Sequence, residues 1–462
     1  MTDPATAAPS GRIRPRERDA IVASLRAGVV PRVGQQHVQV GRIAEVRAVV
    51  TDIARIADGG ASSRFVIGEY GSGKTFFLHL ARSVALERRL VTMHADLSPD
   101  RRLHANAGRA RALYAELTRN LATRARPDGG ALASVVERFV TRVLGETRTT
   151  GVDPETVIHT RLEGLTESTG GYDFAQVITR YWRGHDGGDE RLKTDAVRWL
   201  RGEFTTRADA RQALGVRTIV DDATWYDQVK LMSRFVRLAG YDGLLVCLDE
   251  MVNLFKLTNA QARAANYEQI LRILNDSLQG GAAHLGFLLG GTPDFLLDPR
   301  RGLFSYPALA SRLAENTFAS DKLVDHSGPV LRLGNLSPED IYVLLTKLRH
   351  VYASGDPSGY LVPDDALIGY MRHCASRIGD AYFRTPRETI KGFLDLLALL
   401  DQNPGLDWRS VVDAVDLAPE PDPAFTVPPA DRYTESGTDQ GPGLGPGTAT
   451  TTDDDELSSF QL

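Results

Sequence analysis

Cysteine is nearly absent. Cys247 and Cys374 are the only two in 462 residues, both in apolar surroundings that suit core positions, so no disulfide framework is implied. No run of 18 apolar residues occurs, which argues against a membrane-spanning helix. The first ten residues are polar and lack the apolar core of a signal peptide. A soluble, cytoplasmic protein without a membrane role is the expectation. No H-E-x-x-H, C-x-x-C or Ser-His-Asp pattern appears, and the ten histidines are scattered. The basic residues are mostly arginine but form no dense patch of the kind a dedicated DNA binder shows. From Pro419 onward there are nine acidic residues and one basic one, a net of −8 out of the total −5, so the rest of the chain carries +3. That permits contact with DNA without arguing for it.

Against these absences stands one dense motif. Gly68-Glu69-Tyr70-Gly71-Ser72-Gly73-Lys74-Thr75 fits G-x-x-x-x-G-K-[ST], the phosphate-binding loop of nucleoside triphosphatases. Its context fits as well. Phe65, Val66 and Ile67 read as a buried strand, and Phe76 onward reads as a helix. Gly68, Gly71 and Gly73 supply backbone freedom and close approach. The loop N–H groups and the positive helix end then face a polyphosphate. Lys74 reaches the β- and γ-phosphates, and the Thr75 hydroxyl suits Mg²⁺. ATP and Mg²⁺ are therefore the expected ligands.

The organisation follows from periodicity. Residues 1–19 read as a disordered N-terminus, then a short helix over 19–27, a strand-like 37–40 and an amphipathic helix over 43–57. Five short apolar strands are expected, at 65–67, 90–95, 244–248, 285–289 and 330–333. Separated by helices, they imply a parallel sheet covered on both faces. Between the second and third strands, residues 98–240 read as a helical insertion, with helices at 109–125, 130–144, 172–181, 191–204 and 224–239. Helices are also expected at 261–279 and 307–314. Ser337-Pro338 is a helix start, and 336–417 reads as a helical lid. The nucleotide-binding core then comprises 20–97 and 241–335. Residues 418–462 shift to Pro, Gly, Thr and Asp and read as a disordered acidic tail. Within it, residues 453–462 place four acids before Leu457, Phe460 and Leu462, a pattern suited to docking on another protein.

Four further groups extend the site. Leu244–Leu248 run into Asp249 and Glu250, and a parallel strand aims such carboxylates at its ligand-binding end. Asp249 is placed to hold Mg²⁺, and Glu250 to orient or deprotonate an attacking water. Thr292, after the fourth strand, is a candidate sensor of the γ-phosphate or that water. Arg312, before the fifth strand, is a candidate arginine acting on a neighbouring subunit's nucleotide, with Arg300 and Arg301 as competitors. Arg387, at the start of a helix in the lid, is placed to fold back onto the γ-phosphate, with Arg384 as the fallback.

Gly41-Arg42-Ile43-Ala44-Glu45 resembles the GR-x-x-E box that opens the nucleotide module of origin-recognition-like and STAND-like AAA+ ATPases, where it helps enclose adenine. More narrowly, the chain resembles the P-loop proteins of BREX-type phage-defence systems, the BrxC/BrxD group, especially the smaller BrxD-like members. Gly28-Val29-Val30-Pro31, Gly68 through Leu78 including Glu69, Tyr70, Ser72 and Phe76, residues 95–100, 198–203 and 240–245 carry that likeness, which covers about 20–417. The resemblance implies an AAA+-like α/β ATPase with a parallel five-stranded sheet and a C-terminal helical lid. It also implies a place in a defence complex, with other defence-system proteins or further copies of the chain as partners. An ATP-gated scaffold with little turnover and an origin-recognition-like DNA-remodelling ATPase are the competing readings. Origin-type ATPases often add a winged helix after the lid, and none is legible here.

Overall fold

The computed structural model describes residues 12–314, 316–317, 325–378 and 386–414. The chain begins with α1 (Pro15–Arg26) and α2 (Ile43–Ala57), then β1 (Ala61–Ile67), α3 (Lys74–Glu87) and β2 (Val91–Asp96). Helices α4 (Arg109–Arg119), α5 (Leu132–Thr150), α6 (Pro154–Thr166), α7 (Gly171–Gly187), α8 (Glu190–Leu200), α9 (Arg207–Leu214) and α10 (Trp225–Leu238) separate β2 from β3 (Leu244–Asp249). Next come α11 (Val252–Phe255), α12 (Ala260–Gln279), β4 (Leu285–Gly291), α13 (Pro293–Leu297), α14 (Pro307–Arg312) and β5 (Val330–Arg332). The last elements are α15 (Pro338–Tyr352), α16 (Asp364–Ile378), α17 (Pro386–Gln402) and α18 (Trp408–Ala414).

The strands form one parallel sheet in the order β2-β3-β4-β1-β5, as in P-loop nucleotidases. Both faces are covered, so β3 and β4 are buried along their whole length and read as continuous apolar runs. Strand parity sorts the side chains. Leu244, Val246 and Leu248 join Phe65, Met93 and Phe287 in a core with the helices between β2 and β3. Leu245 and Cys247 face the other way, onto α2 and α3 through Ile53, Ile56, Leu78 and Ala81. Asp249 shares that second parity and therefore faces α3. A third core joins α1 to the helices from α15 onward through Ile21, Leu345, Phe393 and Leu397.

Several expectations need correction. Residues 12–19 are not disordered: Ile13 is buried, its N–H donates to Ser354 O (3.0 Å), and Pro15 starts α1. Residues 37–40 are not a strand. Gly34 turns through the left-handed region into a 3-10 turn at Gln35–His37, where the Gln35 amide donates to Pro31 O and Val38 anchors in the third core. Helix α4 stops at Arg119, because Ala122 pairs with Thr92 and covers the edge of β2. Helices α6 and α9 were not anticipated. Arg384 and residues 418–462, including the 453–462 docking segment, lie outside the described residues. No described helix is long and apolar enough to cross a membrane.

Candidate nucleotide site

The loop after β1 bends as its glycines allow. Gly71 and Gly73 have φ of 78° and 87°, in the left-handed region. A Cβ at Gly68 would lie 2.4 Å from Ser72 Oγ and 3.1 Å from Leu333 O, so the turn closes against the start of the chain beyond β5. Nothing lies within 4 Å of a Cβ built on Gly73, so that face of the loop is open. Helix α3 starts at Lys74 with no side-chain cap on its first N–H groups, which leaves an anion-binding end. Lys74 Nζ donates to Gly68 O (2.9 Å) and Glu69 O (2.8 Å), so the ammonium is folded onto the loop. Ser72 Oγ is buried and has no partner.

The carboxylates come from the neighbouring strands. Thr75 Oγ1 donates to Asp249 Oδ2 at 2.7 Å, although β4 lies between β1 and β3. Gly290 makes that crossing possible, since a Cβ there would sit 2.5 Å from Asp249 Oδ1. Leu97 N–H donates to Asp249 O, which fixes the strand end against the segment after β2. Glu250 N–H bonds back to Asp249 Oδ1 (2.8 Å), and Glu250 itself has φ of 57°. A non-glycine residue held there is strained, a feature that gathers at functional positions. Asp96 is the register partner of Asp249 on β2. Partial desolvation, then the charges of Asp249 and Asp96, push the Glu250 carboxyl above its ordinary value, while Lys74 and Lys256 oppose the shift. Asp96 is raised for the same reasons, burial first and Asp249 second.

A cleft of about 200 Å³ opens beside this loop. Tyr70 through Phe77 and Glu250 line its polar side. Val29, Val30, Val38, Val40, Leu336, Leu344 and Ile390 line the rest. Such an apolar wall beside a phosphate loop suits a flat base. Arg42 lines it too, donating to Ser72 O (3.2 Å) and Gly334 O and pairing with Glu45 at 3.5 Å. Burial lowers the Arg42 pKa, with Glu45 and Asp340 opposing. Gly41, at φ of 58°, packs on Asp340, where a Cβ would lie 3.0 Å from Oδ1. Arg387 lines the cleft from α17, and its Nη1 donates to the Tyr70 hydroxyl at 3.0 Å.

Two expected groups do not line this cleft, although Thr292 follows Gly291, the register partner of Ile67 at the start of the loop. The Thr292 hydroxyl caps α13 by accepting from Phe295 N–H (3.4 Å) and does not line the cleft. Arg312 Nε donates to Asn275 Oδ1 (2.7 Å) and Nη1 to Ala308 O (2.9 Å), so the guanidinium is held within its own chain. Arg301 is likewise engaged, with Phe255 O and Leu257 O. The apolar wall was missed in the sequence because Leu344 and Ile390 read as ordinary helix-core positions. The Gly28-Val29-Val30-Pro31 segment was the available signal.

The family model for the BREX system ATP-binding proteins BrxC/D matches residues 13–416. The chain belongs to that family. Membership implies ATP binding within phage defence, alongside other proteins of the system. No curated protein matches the chain. The site residues fit the ligand. An orphaned Ser72 hydroxyl, an open Gly73 face and an uncapped helix end are what a polyphosphate would satisfy. Among the described residues no group of three or more His, Cys, Asp or Glu forms a metal cage. The Thr75–Asp249 pair suits Mg²⁺ instead, which takes one or two protein groups and fills the rest with water and phosphate oxygens.

Proposed function

We propose that this chain is an Mg²⁺-dependent, AAA+-like ATPase of BrxD-like type, whose hydrolysis drives a conformational or assembly step in a phage-defence complex. One observation carries the reading. A loop with an uncapped helix end and a folded-back lysine shares its threonine hydroxyl with the buried Asp249 carboxylate, beside an exposed glutamate on the same cleft. That is the donor set of a nucleoside triphosphatase, with the polarity each group needs.

In this reading the loop N–H groups and Lys74 bind the phosphates, and Arg42 holds the loop to the chain after β5. Thr75 and Asp249 would hold Mg²⁺, which supplies charge neutralisation at the phosphates. Glu250 accepts the proton of the attacking water. Burial and the charges of Asp249 and Asp96 raise its pKa, which makes it a better base than an ordinary carboxylate. Arg387 neutralises phosphate charge from the helical lid of residues 336–417, and the core of residues 20–97 and 241–335 carries the remaining groups. Arg312, tied to Asn275 in the single chain, enters only where a second subunit meets that face.

The test is a pair of variants. Lys74→Ala is expected to lose nucleotide binding. Glu250→Gln is expected to bind ATP and release no phosphate. Phosphate release at the wild-type rate from Glu250→Gln would remove the catalytic assignment. ATP-dependent assembly without turnover in the wild type would favour the scaffold reading. DNA-stimulated turnover would favour the remodelling one.

A further inference from the structure

The phosphate loop needs only backbone at its variable positions, yet this one carries Tyr70 there. Its hydroxyl accepts from Arg387 Nη1 at 3.0 Å, and the guanidinium carbon lies 5.5 Å from the ring centroid. The two residues are 317 positions apart. On its other flank the arginine stem meets Gly28, where a built Cβ would lie 3.4 Å from Arg387 Cδ. Gly28 also has φ of 71°, so both its conformation and its missing side chain favour this contact. Tyr70, Gly28 and Arg387 all line the cleft that Lys74, Thr75 and Glu250 line.

We propose that Tyr70 is a positioning residue that holds Arg387 ready in the cleft, so that the chain distinguishes a nucleoside triphosphate from a diphosphate. The proposal rests on the nucleotide site described above. The physical gain is preorganisation. A free arginine loses rotamer freedom when it captures a phosphate, and an arginine already fixed by an aromatic face and a hydroxyl has lost that freedom beforehand. Tyr70 sits on the loop that wraps the phosphates, whereas Arg387 sits on α17. The contact therefore also ties the C-terminal helices to the state of the loop.

The experiment measures binding of a non-hydrolysable ATP analogue and of ADP to the full-length chain by calorimetry, with Mg²⁺ present. Tyr70→Phe keeps the ring and removes the acceptor. It is expected to weaken the ATP analogue about tenfold, as for loss of one charge-assisted hydrogen bond, and to leave ADP within about twofold. Arg387→Ala is expected to weaken the analogue at least as much. The double variant should be no weaker than Arg387→Ala alone, because Tyr70 acts through that side chain. Wild-type binding of both nucleotides by Tyr70→Phe overturns the proposal. So does equal weakening of both, or additive losses in the double variant. Lys74→Ala serves as the separate control. If it still binds both nucleotides, the site reading itself fails, whatever Tyr70 does.

Discussion

Gly290→Ala tests whether Asp249 must reach across β4. The added Cβ would stand 2.5 Å from Asp249 Oδ1 and 3.0 Å from Leu78 Cδ1. Gly286, four residues earlier on the same face of the same strand, provides the comparison. A Cβ there would stand 2.3 Å from Ile56 Cδ1 and 3.0 Å from Leu245 Cδ1. Each change overpacks a buried sheet face, at a cost of about 1–3 kcal/mol. The relief differs. Ile56 Cδ1 is the far end of a flexible side chain and turns away. Asp249 is pinned by the Thr75 hydroxyl at 2.7 Å and the Glu250 N–H at 2.8 Å, so its carboxylate moves only by breaking one of them. A hydrogen bond to a charged group contributes about 1.5–3 kcal/mol, which corresponds to roughly a tenfold to hundredfold loss of MgATP affinity. Both variants should melt a few degrees lower by circular dichroism, and only Gly290→Ala should lose MgATP binding and phosphate release. Wild-type nucleotide behaviour in a folded Gly290→Ala protein would refute the reasoning, because Asp249 would then tolerate displacement.

Other consequences are separable. Arg312→Ala should retain ATP affinity yet lose turnover, and wild-type turnover should rise with protein concentration. A strictly monomeric chain that hydrolyses ATP normally would exclude a role for Arg312 between subunits. The His79 and His94 rings meet at 6.1 Å between β2 and α3, and burial, with Arg82 next, holds them down to about 4 and about 3. Their unfolded counterparts titrate near 6.5, so their contribution is complete above that pH and is lost as pH falls toward 4. Urea midpoints at pH 7 and pH 5 should therefore differ less in a His79→Gln/His94→Gln variant than in the wild type. The Arg64 guanidinium bonds both oxygens of Asp52, and each side chain is 5% exposed. Arg64→Met leaves that carboxylate only Arg55 among the described residues, at 3.8 Å, and also removes the bonds to His326 O and Gly328 O, at a cost of about 3–5 kcal/mol. Asp52→Leu/Arg64→Met should recover the part of the lost denaturant midpoint that comes from the buried charge.

The parallel sheet was legible because both its faces are covered. β3 and β4 then become nearly uninterrupted apolar runs, with Asp249 marking the end of β3, whereas β1 was legible only over residues 65–67 because Ser62, Ser63 and Arg64 precede them. Helix α6 was missed although Asp153-Pro154-Glu155 is a start signal, with Asp153 accepting from Thr156 N–H. Thr206 does the same for α9. Helix α9 is short, and the apolar faces of both helices become clear only against a neighbour. The alternation at 37–40 misled for the opposite reason: two valines at strand spacing serve a 3-10 turn and the cleft wall. Thr75 and Asp249 were each read as groups for Mg²⁺, but neither their direct bond nor the residue that permits it was read. Gly290 lay just beyond the expected fourth strand at 285–289, and its role appears only when β4 is placed between β1 and β3.

The same limit explains the cleft mouth. Arg26 of α1 pairs with Asp395 of α17 at 2.8 Å, and Gly28 packs on Arg387. The segment before the nucleotide core therefore closes against the segment after it. No local pattern encodes that meeting, since each helix has an ordinary apolar face and an ordinary charged one. Yet it determines which arginine the phosphate loop can reach. A nucleotide in the cleft would touch the loop, the turn after α1 and the start of α17 together, so its binding energy would bear on the junction of both chain ends. Under the proposed function, occupancy of the cleft would change how the C-terminal helices sit on the sheet. Tyr70, on the loop, and Gly28, on the turn, are the two points at which that change would be felt first.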